Sequence, residues 1–279
     1  MTEIFKEKLS KKEIERYIDM NANTYLLSII KKYSILEEER SKILSSVRPL
    51  YGEIRKWKNQ YIIEIIPSGS FSKGTVIKGS AVDIDLLISL KNQTPFTLKE
   101  AYESLYEYLY HFYYPRKQNV SIRIVFNGIN VDLVPAQRQP TGLYSHSIYV
   151  SKFETWTKTN IHKHIYVIKN SPHKQAIILL KIWCHLHKMD FPSFLLELTV
   201  LEALKKKPAF GIEKKFLTLL KYIIEEFYCV KIYDPANTNN IVSDTISDNQ
   251  KLQIIQMARL SYESDCWEKI VWGLYEIRK

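Results

Sequence analysis

The sequence has few cysteines and no long apolar run. Its three cysteines, Cys184, Cys229 and Cys266, are an odd and scattered set, which predicts a reducing cytoplasm and argues against a scaffold built on disulfides. The sequence contains no stretch of about 18 apolar residues, so it predicts no transmembrane helix. The start of the chain, residues 1–8, is too charged for a signal peptide. Together these absences predict a globular protein of the cytoplasm without a membrane partner.

Charge is unevenly divided between the two signs. The 279 residues include 40 Lys and Arg but 30 Asp and Glu, which gives a formal net charge of +10. Such an excess favours polyanionic partners, either nucleoside triphosphates or nucleic acid. A generally basic surface on a lysine-rich chain explains the same excess equally well.

A phosphate-binding loop of the Walker type is missing as well. Gly69 and Gly74 have the spacing of such a loop, but Thr75 stands where its lysine is required, which excludes the Walker A motif. The turn at Gly69 and Ser70 still offers free backbone N–H groups and a hydroxyl. These donors suit a phosphate group.

Two acids follow this turn on a strand predicted over residues 82–90. Asp83 and Asp85 are two positions apart and, because side chains alternate along a strand, both project from one face. Carboxylates held so close repel each other unless a proton or a cation lies between them. Hard oxygen ligands of this kind suit Mg²⁺ or Mn²⁺ rather than zinc.

A third acid stands in a β-hairpin predicted over residues 120–135. The dipeptide Asn127-Gly128 between two β-rich runs is the strongest short signal for a hairpin. The second strand of this hairpin carries Asp132 and can lie beside the strand that carries Asp83 and Asp85. The three acids together predict a site for two metal ions.

The segments GS-x-x-x-GT, DID and VDLVP, taken together, resemble the nucleotidyltransferase superfamily that shares the polymerase-β-type palm. Within it, the sequence is similar to the branch of oligoadenylate synthase, the bacterial synthases related to cyclic GMP-AMP synthase (CD-NTases) and archaeal-type CCA-adding enzymes. The resemblance implies that Asp83, Asp85 and Asp132 are catalytic and bind two Mg²⁺ or Mn²⁺ ions. It also implies an α+β fold, with a mixed and mainly antiparallel palm sheet, an N-terminal spine helix and a C-terminal helical lobe.

The same resemblance suggests which residues bind the nucleotide. Gly69, Ser70 and Lys73 would hold the β- and γ-phosphates. Lys181 and Ser193, in the segments K-x-W and PSFLLE, match a lysine on one helix and a serine at the start of the next that contact the triphosphate in this superfamily. By spacing alone, Ser193 is an ordinary residue at a helix N-terminus.

The apolar pattern predicts where the regular elements lie. The predicted elements are a charged helix over 3–20, a single spine helix over 24–57, strands over 61–66, 82–90 and 147–150, a helix from Thr97 to Tyr114, and mostly helices from residue 172. We therefore predict a palm domain with its spine helix over residues 1–150 and a helical domain over residues 151–279.

Two polar segments of the second half are interpreted as structural. The loop Tyr233–Asn240 resembles the DP-x-x-x-x-NN loop of the same branch, so Asn239 and Asn240 are interpreted as supporting residues. The histidines between residues 162 and 173, among them His164, could border a groove for nucleic acid. A solvated helix face is the favoured interpretation for them.

The leading functional prediction is a metal-dependent nucleotidyltransferase. It would make cyclic or linear oligonucleotide second messengers from nucleoside triphosphates, release pyrophosphate and serve antiviral defence signalling. The alternative is a template-independent RNA 3′-end or tRNA (CCA-type) nucleotidyltransferase, so that RNA would be either an activator or an acceptor. A catalytically inactive binding protein is a third hypothesis, which the presence of all three acids disfavours. The sequence leaves base selectivity, product linkage and oligomeric state open.

Overall fold

The computed structural model describes residues 22–79, 82–142, 144–205 and 211–272. The charged helix predicted over residues 3–20 lies outside these ranges. Two compact units divide the chain. We call Ile35–Asn170 together with Asp234–Asn240 the sheet unit, and the segments that end at Ser34, span Ser171–Tyr233 and continue from Ile241 the helical unit.

The helices and strands are numbered in chain order among the described residues. They are α1 (Ala22–Tyr33), α2 (Glu37–Lys58), β1 (Ile62–Ser68), α3 (Gly69–Lys73), β2 (Asp83–Leu90), α4 (Leu98–Tyr110), β3 (Arg116–Lys117), β4 (Ile122–Phe126), β5 (Ile129–Arg138), β6 (His146–Val150), β7 (Thr155–Thr159), α5 (Ile161–Lys169), α6 (Lys174–Leu186), α7 (Ser193–Leu204), α8 (Gly211–Glu225), β8 (Tyr233–Asp234), β9 (Asn237–Ile241), α9 (Asp248–Tyr262) and α10 (Trp267–Trp272).

A single mixed sheet forms the centre of the sheet unit. Its strand order is β1-β2-β5-β4-β3, and β6 and β7 extend it from the second half of β5. Strands β2 and β5 are parallel, whereas the other neighbouring pairs of this sheet are antiparallel. The predicted α+β fold with a mixed and mainly antiparallel sheet is therefore confirmed.

The predicted hairpin is present and joins β4 to β5. Asn127 and Gly128 have φ angles of 50° and 77°, the left-handed values that a two-residue hairpin turn of this type needs. The turn fixes the register, so that Ile124 pairs with Val131 and Phe126 pairs with Ile129. Strand β5 lies beside β2, as predicted for the strand that carries the third acid, and the two strands are parallel.

The main core lies on one face of this sheet. Ile84, Leu86 and Ile88 of β2 are buried there in one cluster with residues of α2 and α4. Alternation sends the intervening residues of β2, the acids Asp83 and Asp85, to the opposite face. Burial of one side of β2 thus determines which side carries the acids.

Helix α4 begins as predicted and ends earlier than predicted. The Thr97 hydroxyl accepts a hydrogen bond from the backbone N–H of Glu100 at 3.2 Å, while the Glu100 carboxylate accepts from the backbone N–H of Thr97 at 2.7 Å. Tyr102 on this helix is fully buried in the core, and its hydroxyl donates to the Gln118 carbonyl at 2.6 Å. Tyr102 is therefore a packing residue of the core.

The prediction of one spine helix is wrong. The chain forms α1 and α2 instead, and these two helices belong to different units. The Ser34 hydroxyl donates to the Ile30 carbonyl at 2.7 Å, a local bond that competes with helix continuation. The Glu39 side chain accepts from the backbone N–H of Leu36 at 2.9 Å, and acids at 37–39 favour a new helix N-terminus there. Apolar spacing continues through this segment, so periodicity alone misses the break.

The sheet also continues beyond the predicted domain boundary between residues 150 and 151. Strand β6, predicted over residues 147–150, pairs on its outer side with β7 along its whole length. Strand β7 is not among the predicted strands; it has five residues, three threonines with Trp156 and Lys158 between them. One boundary between the sheet unit and the helical unit therefore falls between Asn170 and Ser171.

The helical unit confirms the helical composition predicted from residue 172. Helices α6 and α7 carry nearly continuous runs of buried residues, and Phe216, Leu219 and Ile223 of α8 are also buried. None of the helices described in residues 22–79, 82–142, 144–205 and 211–272 is long and apolar enough to cross a membrane.

Candidate active site

A row of polar and charged residues crosses five strands of the sheet in register. Ser68 pairs with Asp85, Asp85 with Asp132, Asp132 with Arg123, and Arg123 with Arg116. Residues that pair directly across strands project from the same face. The row therefore places two acids and two arginines side by side on the face opposite the main core.

Asp83 lies one step along the same face. It pairs with Asn130 of β5, whose Nδ2 donates to Asp83 Oδ1 at 2.9 Å. Asp83, Asp85 and Asp132 are thus brought together on one face of two neighbouring parallel strands. The sequence predicts this placement, although it does not predict the asparagine.

Arg123 binds two of the three acids. Its Nε and Nη2 donate to the two oxygens of Asp132 at 2.8 Å and 2.7 Å. The same Nη2 also donates to Asp83 Oδ2 at 2.8 Å. Charge-assisted bonds in this forked geometry are among the strongest that side chains form.

Asp85 is the acid whose charge is least compensated. Burial and the nearby charges of Asp132 and Asp83 together raise its pKa to about 6, while Lys73 and Arg123 oppose the increase. Lys73, a buried residue of α3, therefore acts electrostatically on this carboxylate. The three acids carry one more charge than these two basic side chains compensate, so the site favours a bound cation.

Gly69 is required where the turn after β1 meets the acids. Its φ of +64° lies in the left-handed region, and a Cβ at this position would overlap Asp85 Oδ2. The Ser68 hydroxyl donates to the backbone carbonyl of Asp85 at 3.3 Å, which fixes the strand ends together. This contact explains the glycine without a Walker loop.

The rest of the turn is closed by its own hydrogen bonds. Gly74, with φ of 68°, ends α3 in the left-handed conformation, and its N–H donates to the Phe71 carbonyl at 3.1 Å. The N–H of Thr75 donates to the Ser70 carbonyl at 3.0 Å, and Thr75 is fully buried. Thr75 is thus a structural residue of the turn.

The three acids fit a divalent metal in the chemistry of their side chains. They supply hard carboxylate oxygens from one sheet face, the ligand type that Mg²⁺ and Mn²⁺ prefer. Within the described part of the chain, however, no three His, Cys, Asp or Glu side chains converge closely enough to hold an ion. Asp83 and Asp132 both bind the guanidinium of Arg123 instead.

Comparison with known families identifies the protein class. The family model described as "Second Messenger Oligonucleotide or Dinucleotide Synthetase domain" (SMODS) matches residues 20–171, which is more than half of the chain. The chain belongs to the SMODS family. It is accordingly a nucleotidyltransferase that makes second messengers, and family nucleotidyltransferases use divalent metal ions.

Solved structures share the fold over nearly the whole chain. CdnC of E. coli MS115-1 in complex with HORMA-deltaN is 18% identical with a TM-score of 0.69, over 91% of this chain and 98% of that one. CdnG of Bradyrhizobium diazoefficiens in complex with GTP is 11% identical with a TM-score of 0.70, over 92% and 97%. Cid1 poly(U) polymerase is 12% identical with a TM-score of 0.63, over 88% and 95%. No curated protein matches the sequence.

The two site residues predicted in the helical unit have clear local surroundings. Lys181 of α6 is 8% exposed, and its Nζ donates to Oε1 of the fully buried Glu197 at 2.7 Å. Ser193 is the first residue of α7 and is exposed. Their contact with a triphosphate remains a prediction.

Arg123 is not among the predicted site residues, although the sequence contains a signal for it. In the run Ser121–Phe126, the apolar residues Ile122 and Ile124 alternate with Arg123, so the arginine must face away from the core. Asn130 has the same relation to Val131. Recognising that this face is also the face of Asp132 requires the strand pairing.

The favoured interpretation of the histidines as a solvated face is wrong for His164. Its Nε2 donates to Oδ1 of the buried Asp234 at 2.7 Å, within the sheet unit. Burial alone would raise the pKa of Asp234, but His164, the backbone N–H of Ala236 and the amide of Asn240 outweigh it and lower the pKa. These contacts agree with a supporting role for Asn240.

We predict that Asp85→Asn stabilises the metal-free protein at pH 7.5 by about 1–3 kcal/mol, allowing for partial exposure of the carboxylate. The pKa of Asp85 is raised from 3.8 to about 6 by folding. The folded wild type therefore holds a proton that the unfolded chain releases, and its stability falls as pH rises between about 4 and 6.

Thermal melts of both proteins in EDTA from pH 4 to pH 8 measure this difference. The advantage of the Asn variant should be absent near pH 4 and complete above about pH 6. An advantage that does not change with pH would contradict the assignment of the raised pKa to Asp85.

We also predict that Gly69→Ala destabilises the protein by about 1–3 kcal/mol, because alanine is strained at a positive φ and its Cβ displaces the Asp85 carboxylate. Gly52→Ala is the matched control, since it lies in α2 with no atom within 4 Å of the added Cβ. That substitution should stabilise by about 0.5–1 kcal/mol. Urea unfolding of both variants tests the pair, and equal effects would refute the close approach at Gly69.

Proposed function

We propose that Asp83, Asp85 and Asp132 bind two Mg²⁺ or Mn²⁺ ions and that this site joins nucleoside triphosphates into a cyclic or linear oligonucleotide. The observation that carries the proposal is the in-register pair Asp85 and Asp132 with Asp83 beside it, all on one sheet face. When bound, such ions supply charge stabilisation for the entering and leaving oxygens of an in-line displacement. The reaction transfers a nucleoside monophosphate to a hydroxyl and releases pyrophosphate.

The residues around the acids would divide the remaining work. Asp132 is the acid that would accept the proton of the attacking hydroxyl. Ser70 and Lys73 would bind the β- and γ-phosphates, with Gly69 leaving the backbone room to approach. The charge of Lys73 at Asp85 supports its part in this proposal, because a cation there also attracts phosphate.

In the helical unit, Lys181 and Ser193 would bind the triphosphate. The resemblance of their segments to the superfamily supports this, as does the position of Ser193 at the start of the twelve-residue helix α7. Glu197 would hold the lysine ammonium in position.

We further propose the cytoplasm as the site of action and antiviral defence signalling as its purpose. The three cysteines are free thiols, which agrees with a reducing compartment. CdnC with bound ATP and CdnG with bound GTP are relatives in fold that support nucleoside triphosphates as substrates.

Incubation with labelled nucleoside triphosphates and Mn²⁺, followed by phosphatase treatment, tests the function. We expect a phosphatase-resistant small oligonucleotide to form without added RNA. Asp132→Asn should lower its rate of formation on the order of a hundredfold or more, because the carboxylate acts where charge develops. Asp244→Asn, an exposed acid of the helical unit, is the control and should retain the rate.

The same assay with added RNA separates the two kinds of acceptor. RNA that only activates the enzyme should leave the small product unchanged in kind. Label that enters the 3′ end of added RNA, with no small product, would instead establish an RNA 3′-end nucleotidyltransferase.

The proposed contact of Lys181 needs a variant that leaves no buried charge unpaired, because removal of one partner of a buried ion pair is strongly destabilising. Lys181→Met combined with Glu197→Gln meets this need, and Lys221→Met combined with Glu225→Gln, at an exposed ion pair of the same unit, is the control. We expect the double variant to raise KM for the nucleotide about tenfold, with a smaller change in kcat, since a point charge on the triphosphate acts in ground and transition states alike. An unchanged KM, or a loss confined to kcat, would show that Lys181 does not bind the triphosphate.

A further inference from the structure

Arg123 stands where a cation between two of the acids would stand. We propose that Arg123 is a positioning residue that holds Asp83 and Asp132 in the metal-free protein, and that a divalent ion binds only when the guanidinium gives up Asp83. This inference rests on the proposed function, because it concerns access to the metal site of that function.

The protein itself supplies hydrogen-bond donors to the carboxylate oxygens of Asp83 and Asp132. Arg123 donates to both oxygens of Asp132 and to Oδ2 of Asp83. Asn130 donates to the remaining oxygen, Oδ1 of Asp83. All four oxygens of these two acids therefore already accept a hydrogen bond from the sheet.

Arg123 and a metal ion would compete for the same oxygens of Asp83 and Asp132. Nη2 lies 2.7 Å and 2.8 Å from Oδ2 of Asp132 and of Asp83. An ion bound to those oxygens would lie within a few ångströms of a positively charged guanidinium, and like charges at that range repel strongly in a partly buried site. The absence of a converged acid trio in the described residues agrees with this competition.

Asp132 and Asp83 bind Arg123 with unequal strength. Asp132 is opposite Arg123 on the neighbouring strand, is 9% exposed and receives two parallel bonds. Asp83 is 36% exposed and receives one bond. The bond to Asp83 is consequently the one that a metal ion replaces, while Asp132 can keep the bond from Nε.

The arrangement explains how three acids fold together before a metal arrives. Their mutual repulsion would open the site, and the guanidinium offsets part of it. Lysine cannot do the same, because a single ammonium lacks the planar fork that spans two carboxylates. Loss of Arg123 should therefore lower the stability of the metal-free protein and, at the same time, raise its affinity for metal.

The decisive experiment is a Mn²⁺ titration of the folded, nucleotide-free protein, read by the electron paramagnetic resonance of free Mn²⁺. We expect Arg123→Gln to bind Mn²⁺ about tenfold tighter than the wild type, as removal of an adjacent competing charge suggests. Its metal-free melting temperature should be lower. A merely structural arginine would lower that temperature without tightening metal binding.

Arg116→Gln is the matched control. Arg116 is the next residue of the same cross-strand row and is exposed on β3, so its removal changes the net charge equally. We expect its Mn²⁺ affinity to stay within about threefold of the wild type, because an exposed charge is screened. Equal tightening in both variants would overturn the inference in favour of a general charge effect.

Unchanged or weaker Mn²⁺ binding by Arg123→Gln would also overturn it. If that variant does not fold, Arg123→Lys replaces it, with tightening of about threefold expected and no tightening as the contrary result. Asp132→Asn separates the inference from the proposed function. If Asp132→Asn binds Mn²⁺ as tightly as the wild type, the metal site itself is refuted. If Asp132→Asn loses Mn²⁺ binding but Arg123→Gln does not bind Mn²⁺ more tightly than the wild type, only the role of the arginine is refuted.

Discussion

Repulsion among three carboxylates is the constraint on which the sheet unit depends. Asp83, Asp85 and Asp132 lie on one face of two parallel strands, and folding raises the pKa of Asp85 to about 6. Two basic side chains, Lys73 of α3 and Arg123 of β4, oppose this repulsion. Carboxylates with perturbed pKa values cluster at functional sites. The chain belongs to the SMODS family of second-messenger synthetases, and we propose that these acids form its catalytic site.

The surrounding fold makes the arrangement unavoidable once the strands pair. Ile84, Leu86 and Ile88 must face the core, so their neighbours Asp83 and Asp85 face the other way. The left-handed Gly128 turn sets the register of β4 and β5, which brings Arg123 opposite Asp132. Hydrophobic burial on one face thus positions the charge on the other.

Short sequence signals predict the local elements around the site. Alternation along the strand predicts that Asp83 and Asp85 share one face. Asn127-Gly128 predicts the hairpin, and Thr97 predicts the start of α4. Each of these signals is contained within a few residues, so that backbone geometry and hydrogen bonding over that span suffice to produce it. The motifs GS-x-x-x-GT, DID and VDLVP were enough for the family, because their residue types and order are set by one chemistry.

The distant residues that complete the site are fixed by tertiary contacts. Arg123, Asn130 and the pair of His164 with Asp234 depend on strand register or on contacts far apart in sequence, which periodicity does not encode. The break between α1 and α2 was equally hidden, since apolar spacing continues across it while capping bonds at Ser34 and Leu36 end one helix and begin the next. A side chain's type and spacing follow from the sequence, but its partner is fixed by which strands and helices pack together, a property of the whole fold.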